Sequence, residues 1–256
     1  MTRRVAVDPG PVDVDLLAAA LGPRLAGADA VVTLLVPSAP RALDEQVTWA
    51  PGEPLPGIDP EVAVRGRADL AVRRSVELLR DGEVDLVVSA SPEPAVLAAS
   101  RFVLTRHVGV REPVVAVEVT TGTGACTVMD VSGRGNHSAA NLTGAAAATV
   151  DGIGPQARIG WLAAGTSERE THETVAALAG LLEREVAAVD AGAVLAGDVD
   201  VALTTGTIGK VFLDVVRALS PHRIVLRRLA GLTTEVTMAD ARPTAVADAV
   251  AAVVAR

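Results

Sequence analysis

The stretch Val199–Val216, reading VDVALTTGTIGKVFLDVV, constrains the rest of the chain. A short apolar run at Val201–Leu203 breaks at Thr204–Gly209, and a helical pattern resumes from Lys210 onward. That order is strand, glycine-containing turn, helix start, and it sets helix amides at the end of a strand. Unsatisfied N–H groups and the positive end of the helix dipole suit a phosphate or a developing oxyanion there. Lys210 is the only lysine of the chain. A cation in the first turn opposes the dipole, and a negative group between the two relieves the conflict. The same unit serves equally well as a plain join within an α/β sheet. It is not a Walker A loop, because Val211 follows Gly209-Lys210 and Thr204 stands where the first glycine belongs.

The strand-then-helix pattern recurs. Arg4–Val7 reads as a strand ending at Asp8, followed by the turn Pro9-Gly10-Pro11 and a helix over Val14–Leu21 capped by Asp13. Val31–Val36 reads as a buried strand, and Pro37–Pro60 as a Pro- and Gly-rich loop with an edge strand at Val47–Trp49. An amphipathic helix over Ala68–Arg80 stops at Asp81-Gly82, and a strand at Val84–Ser89 leads by a loop into a helix over Ala95–Leu104. Val114–Val119 and Cys126–Val131 form a hairpin, and Gly133–Asn136 leads into a helix over Ser138–Val150. A strand at Ile159–Leu162 precedes a long helix over Glu168–Glu185. After the organising stretch come a strand at Arg223–Leu229 and a last helix from Pro243 to Val254. Alternation of this kind predicts a three-layer α/β fold.

Half of the 256 residues are apolar, yet only 2% are aromatic, so the core has to be built from Ala, Val and Leu. Small aliphatic side chains suit helices packed closely on a parallel sheet. The net charge of −8 is spread along the chain without a basic block, which argues against nucleic-acid binding. No apolar run approaches the ~20 residues of a membrane span, and MTRRVAVDPG has no signal-peptide core. A single cysteine, Cys126, rules out an internal disulfide framework. The chain reads as soluble and cytoplasmic, with its two Asn-x-Ser/Thr sequons, at Asn136 and Asn141, arising by chance.

Cys126 and the four histidines lack metal-ligand spacing. Gly122-x-Gly124 and Gly133-x-Gly135 lack the third glycine and later acid of a dinucleotide fingerprint, so a nicotinamide-dependent dehydrogenase has no support. Ser89 and Ser91 are not in a nucleophile elbow. Polar loops do follow strand ends at Asp8–Asp13, Ser89–Glu93, Asp130–Asn136, Ala163–Glu168 and Thr204–Lys210, where open α/β sheets bind ligands. Arginines 65, 67, 73, 74, 111 and 134 lie near these loops in sequence and are either phosphate ligands or solvated surface charges.

Taken in order, these segments resemble the PlsX family, the phosphate acyltransferases of bacterial phospholipid synthesis. Val5-Ala-Val-Asp8 with Asp13 resembles the family opening A-V-D-A-M-G-G-D. Glu77–Asp85 with Val88-Ser89-Ala90 resembles the helix and strand ending in V-S-A-G-N-T-G-A, and Arg111–Val114 the R-P-A segment. Asp200–Leu213 resembles D-V-V-V-x-D-G-F-x-G-N-V-x-L. The resemblance covers nearly the whole chain as one α/β domain over residues 1–256. It implies a three-layer αβα sandwich with a mostly parallel Rossmann-like sheet, of the isopropylmalate dehydrogenase type. It also implies transfer of an acyl group from acyl carrier protein or acyl-CoA to phosphate, without metal or organic cofactor, in a homodimer.

The departures fall on the loops that carry this chemistry. The family's acidic residue is Thr205 here, its K-x-S-S segment falls near Arg67–Ala71, and G-N-T-G has become Ser91-Pro-Glu-Pro94. The family's paired glycines are Pro11 and Val12. Its membrane-associating helical hairpin is reduced to Ser-Pro-His between Leu219 and Arg223, so membrane docking is not carried over. Two readings follow from the resemblance. In the first, a divergent acyltransferase uses Lys210, Thr205 and Thr207 for catalysis. Its substrate and phosphate are held by Asp8, Asp13, Arg67, Arg73, Ser89, Ser91, Arg111, Gly206 and Gly209. In the second, the chain is a non-catalytic relative that binds acyl carrier protein or serves as a pathway partner.

Overall fold

The computed structural model describes residues 2–132 and 137–255. Gly133, Arg134, Gly135 and Asn136, which entered the sequence reading, lie outside the described residues. The first elements are β1 (Arg3–Asp8), α1 (Val14–Leu25), β2 (Ala30–Val36), β3 (Val47–Pro51), α2 (Pro60–Gly66), α3 (Ala71–Arg80), β4 (Leu86–Ser89) and α4 (Glu93–Val103). There follow β5 (Val114–Thr120), β6 (Ala125–Met129), α5 (Ala139–Ile153), β7 (Ile159–Leu162), α6 (Glu168–Leu182), β8 (Val186–Val189), α7 (Ala191–Ala196), β9 (Val201–Leu203) and α8 (Gly206–Leu219). The chain closes with β10 (Ile224–Ala230), β11 (Glu235–Met238) and α9 (Pro243–Val254). The chain forms two compact units, residues 1–105 with 233–256, and residues 106–232.

In the first unit the strands run β3-β2-β1-β4-β11 and all are parallel. Asp8, Ser89 and Met238 end neighbouring strands in register, so the loops after β1 and β4 leave the sheet side by side. β4 is buried along its whole length, as a parallel strand covered on both faces must be. Helix α1 packs with α9, while α4 packs with α2 and α3. Asp13 caps α1 as expected, accepting from Leu16 N at 3.0 Å.

In the second unit the order is β10-β5-β6-β9-β7-β8, and only β5 runs antiparallel to its neighbours. The core is aliphatic, as the composition demands. Met129, Leu142, Ala145, Ile159, Leu178 and Leu203 are among its members, with Trp161 as its aromatic side chain. A single 3-10 turn over Pro221–Arg223 joins α8 to β10. Among the described residues, no helix is long and apolar enough to cross a membrane.

Several expected boundaries move by a few residues, and three of the shifts have a clear local reason. Helix α3 starts at Ala71 rather than Ala68, because Glu53 bridges Leu70 and takes the Asp69 carbonyl and Ala71 amide into strand-like hydrogen bonds. Helix α6 stops at Leu182, where Glu183 adopts a left-handed φ of 53° and turns the chain into β8. Helix α8 begins at Gly206, one turn before Lys210, because the Thr205 hydroxyl caps it by accepting from Ile208 N. Lys210 therefore lies in the second turn, and the cation–dipole conflict expected of a first-turn lysine is not made.

Gly209 lets this helix dock. A Cβ at position 209 would lie 2.1 Å from the Asp130 carbonyl oxygen and 2.8 Å from Thr204 Cγ2. Gly209→Ala should therefore lower unfolding stability by roughly 1–3 kcal/mol through overpacking. Gly152→Ala, on an exposed turn of α5 with nothing within 4 Å, should raise it by about 0.4–1 kcal/mol. Urea unfolding of both variants checks this; similar small effects at the two sites would show that the Asp130 contact is not tight.

Candidate functional site

Two groups of polar side chains stand at carboxyl ends of parallel strands, one in each unit. In the first unit Asp8 is 1% exposed and accepts from Ser89 Oγ at 2.5 Å and from Gly10 N at 3.1 Å. Ser89 Oγ in turn accepts from Ser91 N at 3.2 Å. The register that pairs Asp8 with Ser89 brings these residues together across 81 positions of sequence. Burial pushes the Asp8 carboxyl above its ordinary 3.8, against the opposing pull of hydrogen bonds from Ser89, Ser91 and Gly10. Gly10 has a φ of 57°, and a Cβ there would meet the Ala90 carbonyl oxygen at 2.6 Å. The loops after β1 and β4 approach that closely only with glycine at this position.

In the second unit Asp130 follows β6, 1% exposed and in a left-handed conformation at φ 66°. Its Oδ1 accepts from Ser132 at 2.9 Å, while Oδ2 is buried with no hydrogen-bond partner among the described residues. A left-handed conformation at a non-glycine residue is costly, and such features concentrate at working sites. Thr204, also 1% exposed, ends β9 beside it and donates its amide to the Met129 carbonyl at 3.1 Å. Thr205, Gly206 and Thr207 then open α8. No intrahelical carbonyl reaches the amides of Gly206 and Thr207. Sequence reading placed Asp130 only at the start of a polar loop; its signal was an acid directly after a strand.

Lys210 pairs with Asp214 one turn along α8 at 2.5 Å, both side chains about half exposed (48% and 50%). The arginines are mostly engaged elsewhere. Arg67 is salt-bridged to Asp69, and Arg73 donates to Glu77 and the Val64 carbonyl, both at 2.9 Å, which ties α2 to α3. Arg74 keeps a buried Nε with no partner among the described residues. Arg65 lies over the Phe102 ring. Arg111 is exposed, and its amide donates to Asn141 Oδ1 at 2.7 Å. Asn141, read from sequence only as part of a sequon, also binds the amide and carbonyl of Glu112 and so fixes the Arg111–Glu112 loop.

A cleft of about 370 Å³ opens above Gly10 and Ser91 in the first unit. A larger cavity of about 470 Å³ in the second unit lies at the amino ends of β7 and β8, away from the strand ends where such sheets bind ligands. Arg158 at its edge is already spent on Asp200 and the Gly197 carbonyl. Burial pushes the Cys126 thiol up to about 12, which removes it as a thiolate nucleophile. Among the described residues no group of His, Cys, Asp or Glu has the makings of a metal site.

The Asp8 network has a pH signature. A carboxyl raised on folding favours the native state most below its ordinary 3.8, and that contribution fades as pH rises through the folded value. Carboxyls such as Asp85 and Asp200 are lowered by arginine partners and give the opposite slope. The informative quantity is therefore the stability of the native chain minus that of Asp8→Asn. It should fall as pH rises from 4 to 8 in urea titrations; a flat difference would mean that burial does not hold the proton on Asp8.

The family model described as "Fatty acid synthesis protein" matches residues 49–227, more than half of the chain. A phosphate acyltransferase from Pseudomonas putida is 29% identical over 201 residues, covering 74% of this chain and 60% of that protein. The chain thus spans about 60% of that relative's length. In fold it is similar to a branched-chain phosphotransacylase from Enterococcus faecalis V583, with TM-score 0.70 and 13% identity over 99% of this chain and 98% of the other. A putative 4-hydroxythreonine-4-phosphate dehydrogenase from Salmonella typhimurium shares the fold at TM-score 0.59 and 15% identity, over 98% of each chain. The structural likenesses show a mostly parallel, Rossmann-like α/β fold that hosts more than one chemistry. The match of the family model to residues 49–227 carries the assignment: this chain belongs to the fatty acid synthesis protein family.

Proposed function

We propose that the chain transfers an acyl group from a thioester, carried by acyl carrier protein or CoA, to inorganic phosphate. A phosphate oxygen attacks the thioester carbon, the C–S bond breaks, and the phosphate proton ends on the departing thiolate. The products are an acyl phosphate and a free thiol. The barrier lies in the charge on the carbonyl oxygen of the tetrahedral intermediate, so the site has to supply fixed donors.

The observation that carries the proposal is the start of α8. The Gly206 and Thr207 amides open a 14-residue helix at the end of β9, beside the strained, buried Asp130. The Thr205 hydroxyl accepts from Ile208, which leaves its own proton to donate. Thr207 is an exposed second hydroxyl. The Lys210–Asp214 pair is an exposed i,i+4 contact worth only a fraction of a kcal/mol, so recruiting the ammonium to phosphate costs little. Lys210 is thus assigned to phosphate from the second turn. Asp8, Ser89, Ser91 and Gly10 shape the corresponding loops of the first unit. Arg111 is kept as a further phosphate cation. Asp13 acts through its cap on α1, and Arg73 by holding α2 to α3.

A non-catalytic relative that binds a carrier protein is the second reading. The start of α4 favours it, since Pro92 and Pro94 remove amide donors there and no side chain caps the helix.

Thiol release from acyl thioesters, with and without phosphate, tests the proposal. Release should depend on phosphate. Lys210→Ala should raise the phosphate KM by about tenfold or more, the scale of one charge-assisted hydrogen bond, and leave the thioester KM in place. Lys210→Arg should restore most of the loss. Release that ignores phosphate rejects phosphate as the acceptor, and no release with carrier binding retained rejects acyl transfer and supports the second reading.

A further inference from the structure

The cleft of about 370 Å³ in the first unit is walled by Pro11, Pro54, Pro56, Pro60 and Pro92, with Leu55 and Ile58 between them. Its floor is Gly10 and Ser91. The walls come from the loops after β1, β3 and β4, all at carboxyl ends of parallel strands.

The donor count decides what fits. Proline has no N–H, so five of the nine lining residues cannot donate at all. Gly10 N is spent on Asp8, Ser91 N on Ser89, and Ile58 N on the Pro56 carbonyl at 2.8 Å. No Lys, Arg, Asp or Glu lines the cleft. Such a surface has almost nothing to offer an anion and much to offer hydrocarbon, because apolar contact needs no partner. The proline rings also fix the backbone of the walls, so the shape is set in advance.

We propose that this cleft holds the acyl chain of the substrate, straight or branched and of medium length. The assignment rests on the acyl-transfer reading above. At the ~30 Å³ that a water occupies in the liquid, close to the size of a methylene, the cleft takes on the order of ten carbons. The buried Asp8–Ser89–Ser91 network closes its floor, so the chain enters from the open side and ends against Gly10 and Ser91.

The test uses pantetheine amides of butanoate, octanoate and hexadecanoate, which cannot be cleaved, titrated by calorimetry. Affinity should rise at least tenfold from four to eight carbons and level off before sixteen. Ile58→Trp and Leu55→Trp, both on the loop after β3, should cut octanoyl affinity at least tenfold and leave butanoyl within twofold. No gain with chain length, or octanoyl binding untouched by both variants, overturns the assignment. Phosphate-dependent thiol release from a butanoyl thioester is followed separately. If release is absent while the chain-length response stands, the transfer reading alone falls; if release persists without a chain-length response, the cleft assignment alone falls.

Discussion

The Asp130 carbonyl oxygen lies where the side chain of any residue but glycine at position 209 would begin. That contact, with the Thr205 cap, fixes where α8 starts and how its first turn meets the ends of β6 and β9. The arrangement is costly. Asp130 holds a left-handed backbone, and its buried Oδ2 has no hydrogen-bond partner among the described residues. A strand-to-helix join does not by itself need the left-handed Asp130, which sets this corner apart from the other strand-to-helix joins of the sheet.

The first unit resolves the same strand-end problem differently. Its acid, Asp8, is satisfied from within by Ser89 and Gly10, and burial raises its proton affinity. What remains above it is a proline-lined hollow with most of its amides absent or spent.

Much of this was legible in the sequence. Ile159–Leu162, Val201–Leu203 and Pro243–Val254 match their expected limits, because apolar runs between polar turns, and a first-turn proline, leave few choices. The misses have physical causes. Helix α2 carried a readable signal, Asp59 capping before Pro60, inside a stretch dismissed as loop. The long helix was read to Glu185 because its stop is Glu183 rather than a glycine, and β8 and α7 beyond it went unread. Strand β11 is four residues with a Glu and a Thr, and only pairing with β4 makes it a strand. At the start of α8, Lys210 was placed a turn too early. Asp130 was passed over because conformation and burial, not residue type, set it apart.

The most direct test of the central claim is phosphorus NMR of the reaction of the chain with an octanoyl thioester and phosphate. Acyl transfer predicts a new acyl phosphate resonance that grows in step with free thiol and converts to a hydroxamate when hydroxylamine is added. Thiol release with free octanoate and no acyl phosphate intermediate would contradict it and make water, not phosphate, the acceptor.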